Sequence, residues 1–225
     1  MELQALFDTL EQHRNEEYAL KMKAYMKGHF DYYGIQSKQR RELAKPFINF
    51  HKKTAFEDVK GIVNELWDNP YRDAQYIAMD LLGKHLKYLE RKDLAFIKML
   101  VTKKSWWDTV DWVAGHSFGD YLLKFQDDKY KIIEEWMSSE NMWQQRSCII
   151  HQLFYKKKTD ADLLAALILE MVGSKEFFIN KASGWALRQY SKTNPSWVES
   201  FIEENSYQLA NLTIKEGMKW IVKNQ

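Results

Sequence analysis

The residue whose surroundings could do chemistry is Asp111, in Thr109-Val110-Asp111-Trp112-Val113. It lies between apolar neighbours and, at helical spacing, one turn from Trp107. An acid so placed is a candidate for burial among aromatic rings, and the chemistry on offer is electrostatic stabilisation of positive charge. A plainer reading also fits. Asp108 and Asp111 both fall early in a helix, where the macrodipole favours acids whatever their use. Gly115-His116-Ser117-Phe118-Gly119 has the G-x-S-x-G spacing of a hydrolase nucleophile. That chemistry needs a strained strand-to-helix turn with a histidine and an acid facing it. Here the motif follows a helical run, so two small residues near a helix end explain it. The histidines at 13, 29, 51, 85, 116 and 151 show no metal-binding spacing, and there is no Gly-rich phosphate loop. Neither a metal nor a nucleotide cofactor is expected. Cys148, the single cysteine, sits among apolar residues and reads as a small buried hydrophobe.

The elements that must position Asp111 are helices. The chain has 225 residues, 45% of them hydrophobic and 15% aromatic, with only 9 glycines and 3 prolines to make turns. Sheet architectures need more turn residues than that. No Pro- or Ser-rich linker divides the sequence, so residues 1–225 are expected to form one domain. The longest apolar run, Leu163 to Leu169, is far short of a membrane span. One cysteine rules out an internal disulfide, and the amphipathic, acidic start shows no export signal. A soluble, cytoplasmic, monomeric protein is expected. Its net charge of +2 means that any binding of nucleic acid must come from how charge is distributed.

Internal repetition organises the chain. Tyr71, Trp107, Trp143 and Phe178 can be aligned in one slot, each following a polar turn (DNP, KKS, SEN, SKE) that suits a helix start. Each unit reads as an outer helix, a turn and an inner helix. The spacing, without the tetratricopeptide signature, predicts an all-α, HEAT-like solenoid of stacked antiparallel helix pairs with the inner helices lining a concave face. An aromatic in every unit makes Trp107 a core anchor by default. Counted from that aromatic, slots 3, 4 and 7 fall at about −60°, +40° and −20° around the helix, on one arc. These slots hold Asp111, Arg146, Lys181 and Trp185, and slot 14 holds His85, Tyr121, Lys157 and Lys192. Arg146, Lys157, Lys181, Arg188 and Lys192 then fall on or beside one face. They are either solvated charge or a basic groove about as wide as a duplex.

The segment from Thr102 to Asp111 (TKKSWWDTVD) resembles the core signature of the AlkD-type DNA alkylation-repair glycosylases. So do Trp143-Gln144-Gln145-Arg146, Ser174 to Phe178, Gly184 to Arg188, and Lys192-Thr193-Asn194-Pro195. Tyr25 to Phe30 and Gly34-Ile35-Gln36 are similar near the start. The resemblance covers nearly the whole chain. It implies a HEAT-like solenoid that wraps duplex DNA and hydrolyses the N-glycosidic bond of cationic N3- and N7-alkylpurines. By position it makes Asp111 the catalytic carboxylate, with Trp107 and Trp185 flanking the deoxyribose and Arg146 on the backbone there. Tyr25 and Gln36 would face DNA, with Lys157, Lys181, Arg188 and Lys192 as further contacts.

The chemistry agrees with that kit. An alkylated purine that already carries positive charge leaves as a neutral base, so no general acid is required. One carboxylate can stabilise the oxocarbenium-like sugar and position a water. Aromatic faces add about 1–2 kcal/mol of cation–π stabilisation. Two other readings make different demands. A non-catalytic binder of unusual DNA structures would keep the basic groove but lose Asp111 or its tryptophans. A protein–protein adaptor would show an apolar or acidic inner face. This sequence keeps Asp111 and both tryptophans, and fills the inner slots with Arg, Lys and Trp.

Overall fold

The computed structural model describes residues 2–224. The chain folds as two compact units, one ending at Glu90 and one beginning at Arg91. Among the described residues the structure is helical throughout, save for one isolated bridge between Asp31 and Tyr71. No helix among them is long and apolar enough to cross a membrane.

The first unit holds α1 (Leu3–Gln12), α2 (Glu16–Tyr25), α3 (Ser37–Phe50), α4 (Phe56–Asp68) and α5 (Arg72–Leu82). Helix α4 buries Val59, Val63, Leu66 and Trp67, an apolar stripe at helical spacing, with Glu57 and Asp58 at its positive end. A short turn sends α5 back along α4, so the two pack antiparallel. Gly34 is required where it stands. Its φ is +80°, and a Cβ there would lie 2.0 Å from the Asn15 carbonyl oxygen.

The second unit begins with α6 (Leu94–Thr102) and α7 (Trp107–Val113). A π-helical turn over Ala114–Phe118 leads from α7 into α8 (Gly119–Lys124). There follow α9 (Lys129–Met137), α10 (Met142–Ile150), α11 (Ala161–Glu170), α12 (Phe177–Ser191), α13 (Pro195–Asn205) and α14 (Asn211–Asn224). Helices α7, α10 and α12 are successive neighbours, and α14 lies against α12. Ile149, Ile150, Leu164, Ile168, Ile179, Ala182, Leu187, Val198, Phe201 and Ile221 form their shared core.

The helix pairs expected from the sequence are present, but their register differs. The residues that precede the second helix of each pair are Tyr71, Trp106, Asn141 and Glu176, each 35 residues after the last. The aromatics aligned by sequence fall at this position or one to two residues beyond it, so they do not mark an equivalent slot. Ala210, 34 residues on, precedes α14, so α13 and α14 make one more pair. Of the turn residues expected to cap, Asn141 does so, accepting hydrogen bonds from the Trp143 and Gln144 amides. Asn69 and Ser174 instead hold the turns themselves, by accepting from the Tyr71 and Glu176 amides. Ser105 donates back to the Val101 carbonyl.

Counting from the true starts shows a device that the sequence comparison missed. Four residues into three of the second helices stands a side-chain amide: Gln75, Gln145 and Asn180. Gln75 donates to the carbonyls of Leu66, Trp67 and Asn69, and Gln145 to those of Met137 and Ser139. Asn180 donates to the Ser174 carbonyl. These bonds satisfy carbonyl groups at or just past the end of the preceding helix, which otherwise lack partners. The Asp111 repeat has Val110 at that place.

Candidate active site

Asp111, Arg146 and Lys181 occupy one equivalent position, the fifth residue of α7, α10 and α12. Because these helices are successive neighbours, the side chains reach across from one to the next. The Arg146 guanidinium clasps the Asp111 carboxylate with both prongs, Nε to Oδ1 at 2.7 Å and Nη2 to Oδ2 at 2.8 Å. Its third prong, Nη1, donates to the Phe178 carbonyl at 2.5 Å. The Arg146 side chain is only 3% exposed and that of Asp111 14%. Burial pushes the Asp111 carboxyl above its ordinary range, and the Arg146 hydrogen bonds oppose that rise. The early-turn reading of Asp111 is therefore insufficient, because the dipole of α7 does not account for a bidentate arginine from another helix.

The expectation for Arg146 changes with this geometry. The resemblance implied a contact with the DNA backbone, whereas its guanidinium is turned inward and engaged with Asp111 and Phe178. An aromatic cluster begins beside it at Phe178. Trp106, Trp143 and Phe178, from the starts of three second helices, contact one another with ring centroids 5.0 to 5.8 Å apart. The Phe178 ring also lies 5.8 Å from the Arg146 guanidinium carbon. Trp107, expected as a core anchor, is only partly buried, and so is Trp106, which packs its ring against Trp143 and Phe178. Trp107 stands at the first position of α7, partly buried, one turn before Asp111. Trp185 is partly buried two turns along α12 from Phe178 and packs against the core.

Lys181 and Arg188, expected as separate DNA contacts, converge on a residue that the sequence did not single out. Glu216 of α14 has a side chain only 4% exposed, and Lys181 and Arg188 pair with it at 2.7 and 3.1 Å. Lys219 joins them from the same helix. Burial acts to raise the Glu216 carboxyl, but hydrogen bonds from Lys181 and Lys219 outweigh it and hold the group below its ordinary value. A register counted from helix starts puts Lys215 at the Lys181 position of α14, with Glu216 one residue beyond it, so the repeat alone does not single Glu216 out.

The slot-14 extrapolation fails for three of its four residues, because α5, α7 and α10 end well before that length, and only α12 runs as far as Ser191, next to Lys192. His85 lies past the end of α5, buried, with Nδ1 3.1 Å from the Leu81 carbonyl oxygen. Tyr121 follows the π-turn, is buried, and donates to the Arg91 carbonyl at 2.8 Å. Both are structural. Lys157 is exposed in a short turn, Lys156–Lys158, beyond α10, so helical phase assigns it no direction. Lys192 is exposed at the end of α12, with Nζ 2.7 Å from Gln189. In the first unit, Tyr25 ends α2 and is 72% exposed, and Gln36 is exposed just ahead of α3.

The glycines of the G-x-S-x-G match are explained by packing. A Cβ on Gly115 would meet the Phe154 ring at 2.7 Å, and one on Gly119 the His151 carbonyl oxygen at 2.6 Å. Ser117 is buried on the π-turn, without the strand that a nucleophile elbow requires. Cys148 is buried, and burial pushes its thiol up. Among the described residues, no group of three or more His, Cys, Asp or Glu could hold a metal ion.

A largely buried carboxylate, one helical turn after Trp107 and fixed by an arginine, offers localised negative charge in a desolvated setting. Known proteins match the chain on this scaffold. A predicted DNA alkylation repair enzyme from Enterococcus faecalis shares 35% identity over 94% of this chain and 98% of its own, with a TM-score of 0.85. AlkD2 from Streptococcus mutans is 21% identical, covers 84% of this chain and 90% of its own, and has a TM-score of 0.60. The smu.31 protein of Streptococcus mutans UA159 is 19% identical over 94% and 98%, also with a TM-score of 0.60. At those identities the last two speak only to the fold. No curated protein matches the sequence. The model of the DNA alkylation repair enzymes matches residues 6–221, nearly the whole length, and the chain belongs to that family.

Proposed function

We propose that the protein is a DNA glycosylase. It hydrolyses the N-glycosidic bond of positively charged N3- and N7-alkylpurines in duplex DNA, acting as a cytoplasmic monomer on a HEAT-like scaffold. The observation that carries this reading is the Asp111–Arg146 clasp. Burial to 14% exposure disfavours the negative charge of a carboxylate, and a bidentate guanidinium in fixed geometry opposes that loss.

The reaction then divides simply. The bond between C1′ and N9 of the alkylated purine breaks, and its electron pair neutralises the departing base. Positive charge develops on the sugar, where Asp111 stabilises it. Water adds to C1′ and its proton passes to solvent. Trp107 and Trp185 would lie against the deoxyribose and favour its cationic form. Arg146 acts through Asp111 as a positioning residue, and a phosphate contact from it would require the clasp to open. Incubating the protein with duplex DNA that contains 7-methylguanine and measuring released base tests this directly. Absence of release above the spontaneous rate would refute it.

A further inference from the structure

The cluster around Glu216 contains more positive charge than a structural ion pair needs. One buried carboxylate is balanced by one cation, yet Lys181, Arg188 and Lys219 all reach it. Two positive charges remain in surplus. The three cations are 35%, 31% and 45% exposed, so the carboxylate forms the floor of the cluster and the cations its open side. Their other neighbours do not cancel the surplus, since Glu216 is the sole acid within ion-pair distance of any of them among the described residues. Without Glu216 three like charges would repel, so the buried acid allows them to share one place.

The backbone is built to permit this. On α12, Lys181, Gly184 and Arg188 fall on one face at spacings of three and four. A Cβ on Gly184 would lie 2.5 Å from the Glu216 Cβ and 2.8 Å from the Thr213 carbonyl oxygen. Glycine there lets α14 approach closely enough for Glu216 to reach cations on both sides. The cluster is also tied to the catalytic carboxylate. Phe178, whose carbonyl accepts from Arg146, lies one helical turn before Lys181, about 4.5 Å along the α12 axis. Trp185 stands on α12 between Lys181 and Arg188.

We infer that Lys181, Arg188 and Lys219, gathered by Glu216, form a single anion site that takes a phosphate of the DNA backbone beside the lesion. Lys219 of the last helix is thereby a DNA-binding residue, and Glu216 a positioning residue. This rests on the reading of the protein as an enzyme acting on duplex DNA. The ligand chemistry is a tetrahedral oxyanion, and its source is the duplex.

The experiment measures affinity for an undamaged duplex by fluorescence anisotropy across a salt series, for wild type, Lys219→Gln, Lys181→Gln and, as control, Lys131→Gln. Lys131 is exposed on α9. Each neutralised phosphate contributes about −0.9 to the log–log salt slope. Lys219→Gln and Lys181→Gln should each flatten the slope by roughly one unit, and Lys131→Gln should leave it unchanged. Slopes for Lys219→Gln and Lys181→Gln equal to wild type would overturn the site. Unchanged DNA slopes, together with thermal stabilisation of wild type but not Lys219→Gln by inorganic phosphate, would show a site for the free ion and overturn the duplex assignment. Base release is scored separately. Flattened slopes without release of 7-methylguanine would sink the glycosylase reading and leave the phosphate site standing.

Discussion

Removing one partner of the Asp111–Arg146 clasp should damage the fold far more than removing both. The pair is joined by hydrogen bonds of 2.7 and 2.8 Å between side chains 14% and 3% exposed. Neither charge can recover its hydration when the other is lost. Breaking a buried pair of this kind typically costs about 3–5 kcal/mol, because one charge stays buried and uncompensated. Arg146→Met and Asp111→Leu should each lose that much. At roughly 2–4 °C per kcal/mol for a chain of this size, each should lower Tm by about 6–20 °C. The double variant places two apolar side chains face to face, and such replacements are often neutral or stabilising. It should come within about 2 kcal/mol of wild type, giving a coupling of several kcal/mol in the double-mutant cycle. Urea unfolding followed by far-UV circular dichroism and by the fluorescence of the 9 tryptophans supplies the four free energies. Single variants within about 1 kcal/mol of wild type, or a double whose loss is the sum of the singles, would refute the view of Arg146 as a buried counter-charge.

Three further outcomes follow from the same geometry. Asp111→Asn should cut single-turnover release of 7-methylguanine by at least about 100-fold and leave duplex affinity nearly unchanged, since it removes transition-state stabilisation and no phosphate contact. A variant that keeps more than about a tenth of the wild-type rate would contradict that role. Hydrogen bonds from Lys181 and Lys219 hold the folded-state pKa of Glu216 below its ordinary value of 4.5, so its stabilising contribution is complete above that value and fades as pH falls through the lower folded value. The stability gap between wild type and Glu216→Gln should accordingly be widest near neutrality and narrow in acid, and a gap that does not change with pH would be the contrary result. Finally, an enzyme that relies on the lesion's own charge should release 3-methyladenine and 7-methylguanine but spare hypoxanthine, uracil and 1,N6-ethenoadenine, as scored by alkaline cleavage at abasic sites. Efficient release of uracil would require a general acid that these residues do not provide.

The all-helical class and the helix pairs were legible in the sequence because they rest on apolar periodicity and scarce turn residues, both local properties. Asp111 was legible as a candidate, but its partner was not. Aligning the repeats on their aromatics put Asp111 and Arg146 in different slots, whereas in the structure they stand at the same one. The error is physical. A large ring near a helix start can pack from any of several successive positions, so Tyr71, Trp107, Trp143 and Phe178 drift by up to two residues against the backbone. Helix starts are set by hydrogen bonding and do not drift. Three of the slot-14 residues were misplaced for a related reason, since constant helical phase ignored the π-turn at Ala114–Phe118 and the early ends of α5 and α10. Glu216 escaped notice because a lone acid on an amphipathic helix looks solvated until the glycine opposite it is known to admit close approach.

The amides of Gln75, Gln145 and Asn180 have a consequence for how such a chain can change in length. Each reaches back over the turn inside its own helix pair and grips carbonyls a fixed distance away, so that turn is a closed ring of set size. An inserted residue there would either open the ring or push the next helix out of register with its neighbours. Between pairs, the connection from α10 to α11 is held in the same way, since the Gln152 amide donates to the Asp160 carbonyl and accepts from the Asp160 backbone N–H. Insertions and deletions are thus costly within these pairs and across that connection. The pair that carries Asp111 differs, because Val110 supplies no amide and the turn is packed by Trp106. That turn is gauged by the fit of a ring against its neighbours, so there a change of side-chain shape would matter as much as a change of length.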